Sequence, residues 1–383
     1  ERVFKPHTGR RIVLATNVAE TSLTVPGIRY VVDPGKARIK RYSYRSKVEQ
    51  LQVENISRAS ANQRAGRCGR VASGVCIRLY DEDDFRARPD YTEPEILRSS
   101  LAGVILRMKS LHLGEVEDFP FLDPPLPKAV TDGYGLLMEL GAVDDANDLT
   151  ETGRQLARLP LDPCIARMIL AAKAEGSLAE VLIIAAALSL QDPRERPMER
   201  AGAADAARLK FDDEKSDFLS WLKLWKFYQE ALAHKKSNRK LAELCREHFL
   251  SYNRMREWLD IHSQLHTFVA ELGWKLSERE ASYAQIHRAL LAGLLGNIGC
   301  KSEDSEHYLG ARGIKFLVHP GSGVGKKAGR WIMAAEITET TRLYARCIAR
   351  IEPEWLEGIG AHLIRRHRYE PHWEKKPAHV AAF

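Results

Sequence analysis

Between Leu159 and Leu272 the apolar residues recur at helical spacing with almost no strand signal, whereas the segments on either side alternate short apolar runs with turns. A chain whose period switches in this way cannot be one sheet or one bundle throughout, and it reads as several domains in series. Leu159-Pro160-Leu161-Asp162-Pro163 opens the helical stretch, and helices are predicted over 165–175, 178–190, 217–233, 239–249 and 252–272. Trp221, Leu222, Trp225 and Tyr228 fall at i, i+1, i+4 and i+7, an apolar stripe that reads as core and not as a base-stacking platform. At 383 residues the chain also exceeds what one core usually organises, so two to four domains are expected.

On the amino-terminal side, strands are predicted over 12–15, 30–33, 47–53 and 75–80, the later half of an α/β domain. Tyr42, Tyr44, Val48, Leu51 and Val53 could form a hairpin within it. From Glu93 a helical pattern runs through Ile96, Leu97, Leu101, Val104, Ile105 and Met108 and stops near Leu113-Gly114. A Pro-rich loop at 123–127, a second helix ending at Gly141 and a turn-rich segment to Thr150 complete the order of a winged helix. On the carboxyl side, a helix over 283–295 precedes short strands at 308–311, 314–318, 330–336 and 341–349, which suggest a small barrel. The expected fold class is therefore multidomain, α/β plus α. Its boundaries are placed at 1–90, 91–157, 158–282 and 283–357, with an extension over 358–383.

Two segments carry chemistry. Gln63-Arg64-Ala65-Gly66-Arg67-Cys68-Gly69-Arg70 sets three arginines and a glutamine around two glycines, a phosphate clamp in type. If this segment runs into a helix, Arg67 and Arg70 share a face, and Gln63 sits one turn earlier, where it could orient an attacking water. Upstream, Ala15-Thr16-Asn17-Val18-Ala19-Glu20-Thr21-Ser22-Leu23-Thr24 follows the apolar run Ile12-Val13-Leu14, a buried strand ending in a hydroxyl-rich turn. Side chains at the carboxyl end of such a strand face the ligand crevice of an α/β sheet.

The two segments resemble motifs V and VI of superfamily 2 helicases, in the wording of the DEAH-box RNA helicases and nearest to the bacterial HrpA type. The resemblance covers nearly the whole chain. It implies the second part of a RecA-like domain over 1–90, a winged helix serving as a joint, a ratchet domain and an OB-fold that binds single strands. It also implies ATP with Mg²⁺ as cofactor and RNA as partner, with movement 3′ to 5′. Gln63 then faces the attacking water, and Arg67 and Arg70 are arginine fingers. Thr16 and Asn17 match the positions that hold the RNA backbone, Thr24 the one near the ribose, and Phe4 the phenylalanine that stacks on adenine. Many members carry an acidic residue where this chain has Pro26, so no carboxylate contact to the ribose is implied here.

Charge is segregated in agreement with a polyanionic partner: residues 1–80 carry a local +11, residues 286–383 a local +5, and the stretch between them −9. The six cysteines show no paired spacing, which fits neither a zinc site nor a disulfide framework and suits a reducing cytoplasm. No apolar run is long enough for a membrane span. Pro320-Gly321-Ser322-Gly323-Val324-Gly325-Lys326-Lys327 imitates a phosphate-binding loop, but Pro320 and Lys327 stand where Gly and Ser or Thr are required. His319, Ser322 and Lys326 are read instead as an RNA-facing loop between barrel strands.

Neither a P-loop nor Asp-Glu-Ala-His occurs in the sequence. The expectation is a part of a longer helicase whose missing amino-terminal RecA-like domain acts in cis, with the chain alone inactive toward ATP. Two alternatives stay open, a non-catalytic RNA-binding module and part of a DNA helicase.

Overall fold

The computed structural model describes residues 2–4, 8–43, 48–234, 237–302, 306–339, 342–363, 372–374 and 379–381. They divide into two compact units, Glu1–Leu101 with Glu117–Asp132, and Ala102–Val116 with Gly133–Phe383.

The first unit contains α1 (Val18–Thr21), β1 (Tyr30–Asp33), β2 (Lys36–Ser43), β3 (Val48–Asn55), α2 (Arg58–Ala65), β4 (Val75–Arg78) and α3 (Glu82–Ala87). β1 and β4 pair in parallel, from Tyr30 opposite Val75 to Asp33 opposite Arg78. β2 and β3 form the expected hairpin, antiparallel from Lys36 opposite Asn55 to Ser43 opposite Val48; its tip lies outside the described residues. The strand expected over 12–15 is not formed. Ile12 and Leu14 are 82% and 95% exposed, because an apolar run becomes a buried strand only where a neighbour takes up its backbone bonds, and no described strand lies beside it. The β1–β4 pair is covered on one side only: Asp33 is buried, while Tyr30, Val32, Val75 and Ile77 are each more than half exposed.

The second unit begins with α4 (Ala102–Ser110), the later part of α5 (Pro127–Glu139), whose start belongs to the first unit, and α6 (Glu151–Ala157). The continuous helix expected from Glu93 is interrupted, with only a 3₁₀ turn at Glu95–Leu97 before α4. A bridge between Val143 and Leu149 forms the small wing. The bundle follows as α7 (Pro163–Glu175), α8 (Leu178–Leu188), α9 (Ala201–Leu209), α10 (Asp217–Ala233), α11 (Asn238–Glu247) and α12 (Tyr252–Glu271). Its ends follow local chemistry: the Asp162 carboxylate accepts from the Cys164 amide at 2.9 Å with Pro163 in the first turn, and Gly176 closes α7 at φ 71°. Next come α13 (Tyr283–Leu291), β5 (Ile298–Lys301), β6 (Tyr308–Gly310), β7 (Lys315–Val318), β8 (Trp331–Glu339), β9 (Leu343–Arg350) and α14 (Pro353–Ile359). The strands close into a barrel of order β5-β6-β7-β9-β8, in which β7 and β9 are parallel. The segments His372–Glu374 and His379–Ala381 form a separate short antiparallel pair.

One core runs through bundle and barrel. Trp258, Phe218 and Tyr228 are buried together with Met333, Ala349 and Ile351 of the barrel end. Trp258 packs edge-on against Trp221 and Trp225 at ring distances of 5.6 and 5.0 Å, so the aromatic stripe is core, as its spacing predicts.

Candidate functional site

The arginine-rich octamer starts as helix and ends as turn. Ser57 caps α2 by accepting from the Ser60 amide at 3.2 Å, and the helix stops at Ala65, ahead of Gly66. Arg67 and Arg70 therefore lie beyond the helix, in a turn and a bend, and do not share a helical face as the sequence suggested. The turn is pinned from inside. The buried Cys68 thiol donates to the Ala65 carbonyl at 3.0 Å, and Gly74 passes so close that a Cβ there would stand 2.2 Å from the Cys68 oxygen.

The three arginines divide their work. Arg64 turns inward, donating to Asp33 Oδ1 at 2.8 Å, to Glu20 Oε1 at 2.7 Å and to the Lys36 carbonyl at 3.1 Å. Burial alone would lower the pKa of this guanidinium, and the bonds to Asp33 and Glu20 more than reverse that, raising it. Asp33, 1% exposed, also accepts from the Gly35 amide and the Tyr80 hydroxyl, each at 2.9 Å. Burial first, and then this bond to a carboxylate, push the Tyr80 phenol up to about 12. One carboxylate thus ties together the end of β1, the last turn of α2 and the segment after β4. Through Glu20 the same arginine holds α1.

Arg67 and Arg70 turn the other way, toward adjacent residues of the upstream motif. Arg67 Nη1 lies 3.4 Å from the Leu23 carbonyl, and Arg70 Nη1 donates to Thr24 Oγ1. Thr24, Arg67 and Arg70 are thereby brought together. Gln63 is exposed on the last turn of α2, and Thr16 and Asn17 are exposed at the start of α1. No side-chain hydrogen bond among the described residues joins those three to the arginine pair. Phe4 stands 46% exposed on a 3₁₀ turn, Arg2–Phe4. Arg67 is partly covered and Arg70 exposed, an arrangement that fits a phosphate group. Among the described residues no cluster of three or more His, Cys, Asp or Glu is placed to hold a metal ion.

The barrel loop after β7 is built differently from the expectation. Asp217, 4% exposed at the first turn of α10, accepts from Ser322 Oγ at 2.7 Å, from the Gly323 amide at 2.8 Å and from the Ile348 amide of β9 at 2.9 Å. A Cβ at Gly323 would meet Asp212 Cγ at 2.8 Å, so the backbone approaches the bundle closely. Ser322 therefore faces the bundle. His319 is half-buried, and its Nδ1 accepts from the Gly321 amide at 3.0 Å. Burial, then the nearby Arg346 and Arg208, lower its pKa. The Lys326 side chain lies outside the described residues. Lys327 pairs with Glu214 at 2.7 Å. A short 3₁₀ turn, Gly325–Lys327, leads into β8, so the segment that imitates a phosphate-binding loop lacks the helix such a loop opens.

Sequence reasoning did not single out Asp33, Arg64, Glu20 or Asp217. Arg64 meets Asp33 and Glu20 across 31 and 44 residues, and Asp217 meets Ile348 across 131, and no local pattern marks these pairings.

Profiles of known domain families match four separate stretches of the chain, in this order: the helicase conserved C-terminal domain over 1–72, the winged-helix part of the helicase-associated domain (HA2) over 135–161, its ratchet-like part over 162–222, and an oligonucleotide/oligosaccharide-binding (OB) fold over 286–363. The ATP-dependent RNA helicase HrpA of Escherichia coli (strain K12) is 54% identical over 386 residues, and the HrpA homolog of Haemophilus influenzae (strain ATCC 51907 / DSM 11121 / KW20 / Rd) is 50% identical over 388 residues. Each comparison takes in 100% of this chain and 30% of the relative, so the chain spans about 30% of the length of the curated relatives it matches. No helix among the described residues is long and apolar enough to cross a membrane. Three helicase-domain profiles followed by an OB-fold, together with 54% identity along its whole length, match this chain to part of an HrpA-type RNA helicase.

Proposed function

We propose that this chain supplies the arginine side of an ATP site and the RNA-binding accessory domains of an ATP-dependent RNA helicase, which moves along single-stranded RNA and unwinds or remodels RNA structure. The observation that carries this reading is the convergence of Arg67 and Arg70 on Leu23–Thr24. Two guanidiniums outside the helix, one beside a ribose-contacting threonine, are free to follow charge as it develops on a transferring phosphoryl group. ATP, when bound, supplies that phosphoryl group. Gln63 orients the attacking water, Arg67 and Arg70 stabilise the transition state, Thr24 sits near the ribose and Phe4 stacks on the adenine. Thr16 and Asn17, exposed at the start of α1, hold the RNA backbone. The Mg²⁺ ligands belong to an amino-terminal RecA-like domain in cis. The domain limits of 1–90, 91–157, 158–282 and 283–357, with the extension 358–383, are part of the same proposal, as is a cytoplasmic location.

In a longer protein carrying this chain and that domain, Arg67→Ala or Arg70→Ala is expected to lower the kcat for ATP by at least ~10²-fold while RNA affinity stays within a few-fold. Arg→Lys at either position should rescue poorly, because an ammonium lacks the planar fork. Normal hydrolysis in both alanine variants would overturn the assignment. The isolated chain should show no turnover above background. Competition between matched RNA and DNA strands decides whether the partner is RNA or DNA.

A further inference from the structure

The outer surface of the barrel where β7 meets β9 carries an aromatic pair among cations that the roles above do not use. Along β7, Lys315 and Leu317 alternate onto one face, and His319 continues it; along β9, Tyr344 and Arg346 do the same. Leu317 is opposite Tyr344 in the parallel register. The His319 and Tyr344 rings meet edge to face at 5.8 Å, both half-buried. Arg346 is 43% exposed, bonded to Thr338 Oγ1 at 3.3 Å and 4.0 Å from the Glu336 carboxylate. Arg208 reaches in from α9: its Nη1 lies 3.7 Å from where a Gly321 Cβ would be, and its buried Nε has no hydrogen-bond partner. Asp212, 3.5 Å away, is the carboxylate paired with it.

From this geometry we infer that Tyr344 and His319 form a stacking subsite for one base of a single-stranded RNA, with Arg346 and Arg208 receiving the flanking phosphates. The inference rests on the RNA-binding reading above and adds the residues that do it on the barrel. A basic groove with aromatic faces is how single strands are held without sequence preference. The subsite is pre-organised: Asp217 fixes the loop through Ser322 and Gly323, and the Gly321 amide fixes the His319 ring. Little ordering remains to be done on binding. The loop thus contributes through its histidine, and Ser322 acts as the tether.

The test uses the 383-residue chain and a fluorescein-labelled twelve-nucleotide oligouridine, titrated at several salt concentrations. Tyr344→Ala should weaken binding about 10-fold, the scale of one lost base stack, with the salt slope unchanged. Tyr344→Phe should stay within about 2-fold, since the stacking face is kept. Arg346→Ala, at an exposed position that leaves the fold intact, should make the log–log salt slope shallower by about 0.7, one phosphate on a single strand. Wild-type affinity in Tyr344→Ala, or an unchanged slope in Arg346→Ala, would remove the subsite from the RNA path. Should Tyr344→Ala unfold, the slope of Arg346→Ala decides. A wild-type chain that fails to bind at all would overturn the RNA-binding reading itself, and the subsite with it.

Discussion

In the first unit the arginine-rich turn stands beside a two-stranded parallel sheet whose outer side leaves Tyr30, Val32, Val75 and Ile77 exposed. In the second, α8 alone buries seven of its eleven residues, and one apolar cluster runs from the bundle into the barrel. The first unit therefore holds its geometry with a polar lock, Asp33 with Arg64, Glu20 and Tyr80, while the second holds it by burial of apolar area. The lesson is a difference in reach. Breaking a polar lock loosens what it touches, whereas a hole in a continuous core is felt throughout.

The largest effect should come from the core. Trp258→Ala removes a fully buried ring that donates to the Ile183 carbonyl at 3.0 Å; denaturant unfolding should show a loss of about 4 kcal/mol. A loss below about 1 kcal/mol would mean that the cluster is not continuous.

Acid should act next, and on the second unit. His287, fully buried, is held between Ser216 Oγ at 2.6 Å and the Tyr283 carbonyl at 2.7 Å, and burial lowers its pKa from 6.5 to about 4. Between those values the unfolded ring takes a proton and the native one does not. Stability is therefore complete above pH 6.5 and falls as pH drops toward 4, by about 3 kcal/mol at the end of that window. Thermal unfolding across the window checks this, and His287→Gln should flatten the decline.

A smaller effect distinguishes a polar lock inside the second unit. Asp217→Ala strands two amides and a hydroxyl at the barrel junction and should cost about 2 kcal/mol. Because Asp217 also sets the loop that carries His319, the same variant should weaken RNA binding. Lys326→Ala with Lys327→Ala should leave stability unchanged within about 0.5 kcal/mol, since Lys327 is exposed.

What could be read in the sequence follows the same division. Helix α10 matches its predicted limits and α12 lies within one residue of its own, because their apolar residues recur at helical spacing and face one core. Helix α9 was invisible: Ala-Gly-Ala-Ala-Asp-Ala-Ala-Arg-Leu has little apolar periodicity, and only Ala204 in it is buried. The short strand β5, Ile-Gly-Cys-Lys, falls in the unassigned gap between the helix predicted over 283–295 and the strand predicted from 308. The arginine motif was legible as a local string, but not the separation of Arg64 from Arg67 and Arg70. That separation depends on Glu20 and Asp33, 44 and 31 residues upstream. Ile12–Leu14 misled because apolar character marks a strand only where a neighbour is present.

The claim that a polar lock sets the arginine turn is tested most directly by hydrogen–deuterium exchange in wild type and Arg64→Ala. Amides of residues 62–70 are expected to exchange about 10-fold faster in the variant, matching a local loss near 1.4 kcal/mol, with those of α8 and α12 serving as an unchanged internal reference. Exchange of residues 62–70 at the wild-type rate in Arg64→Ala would contradict it.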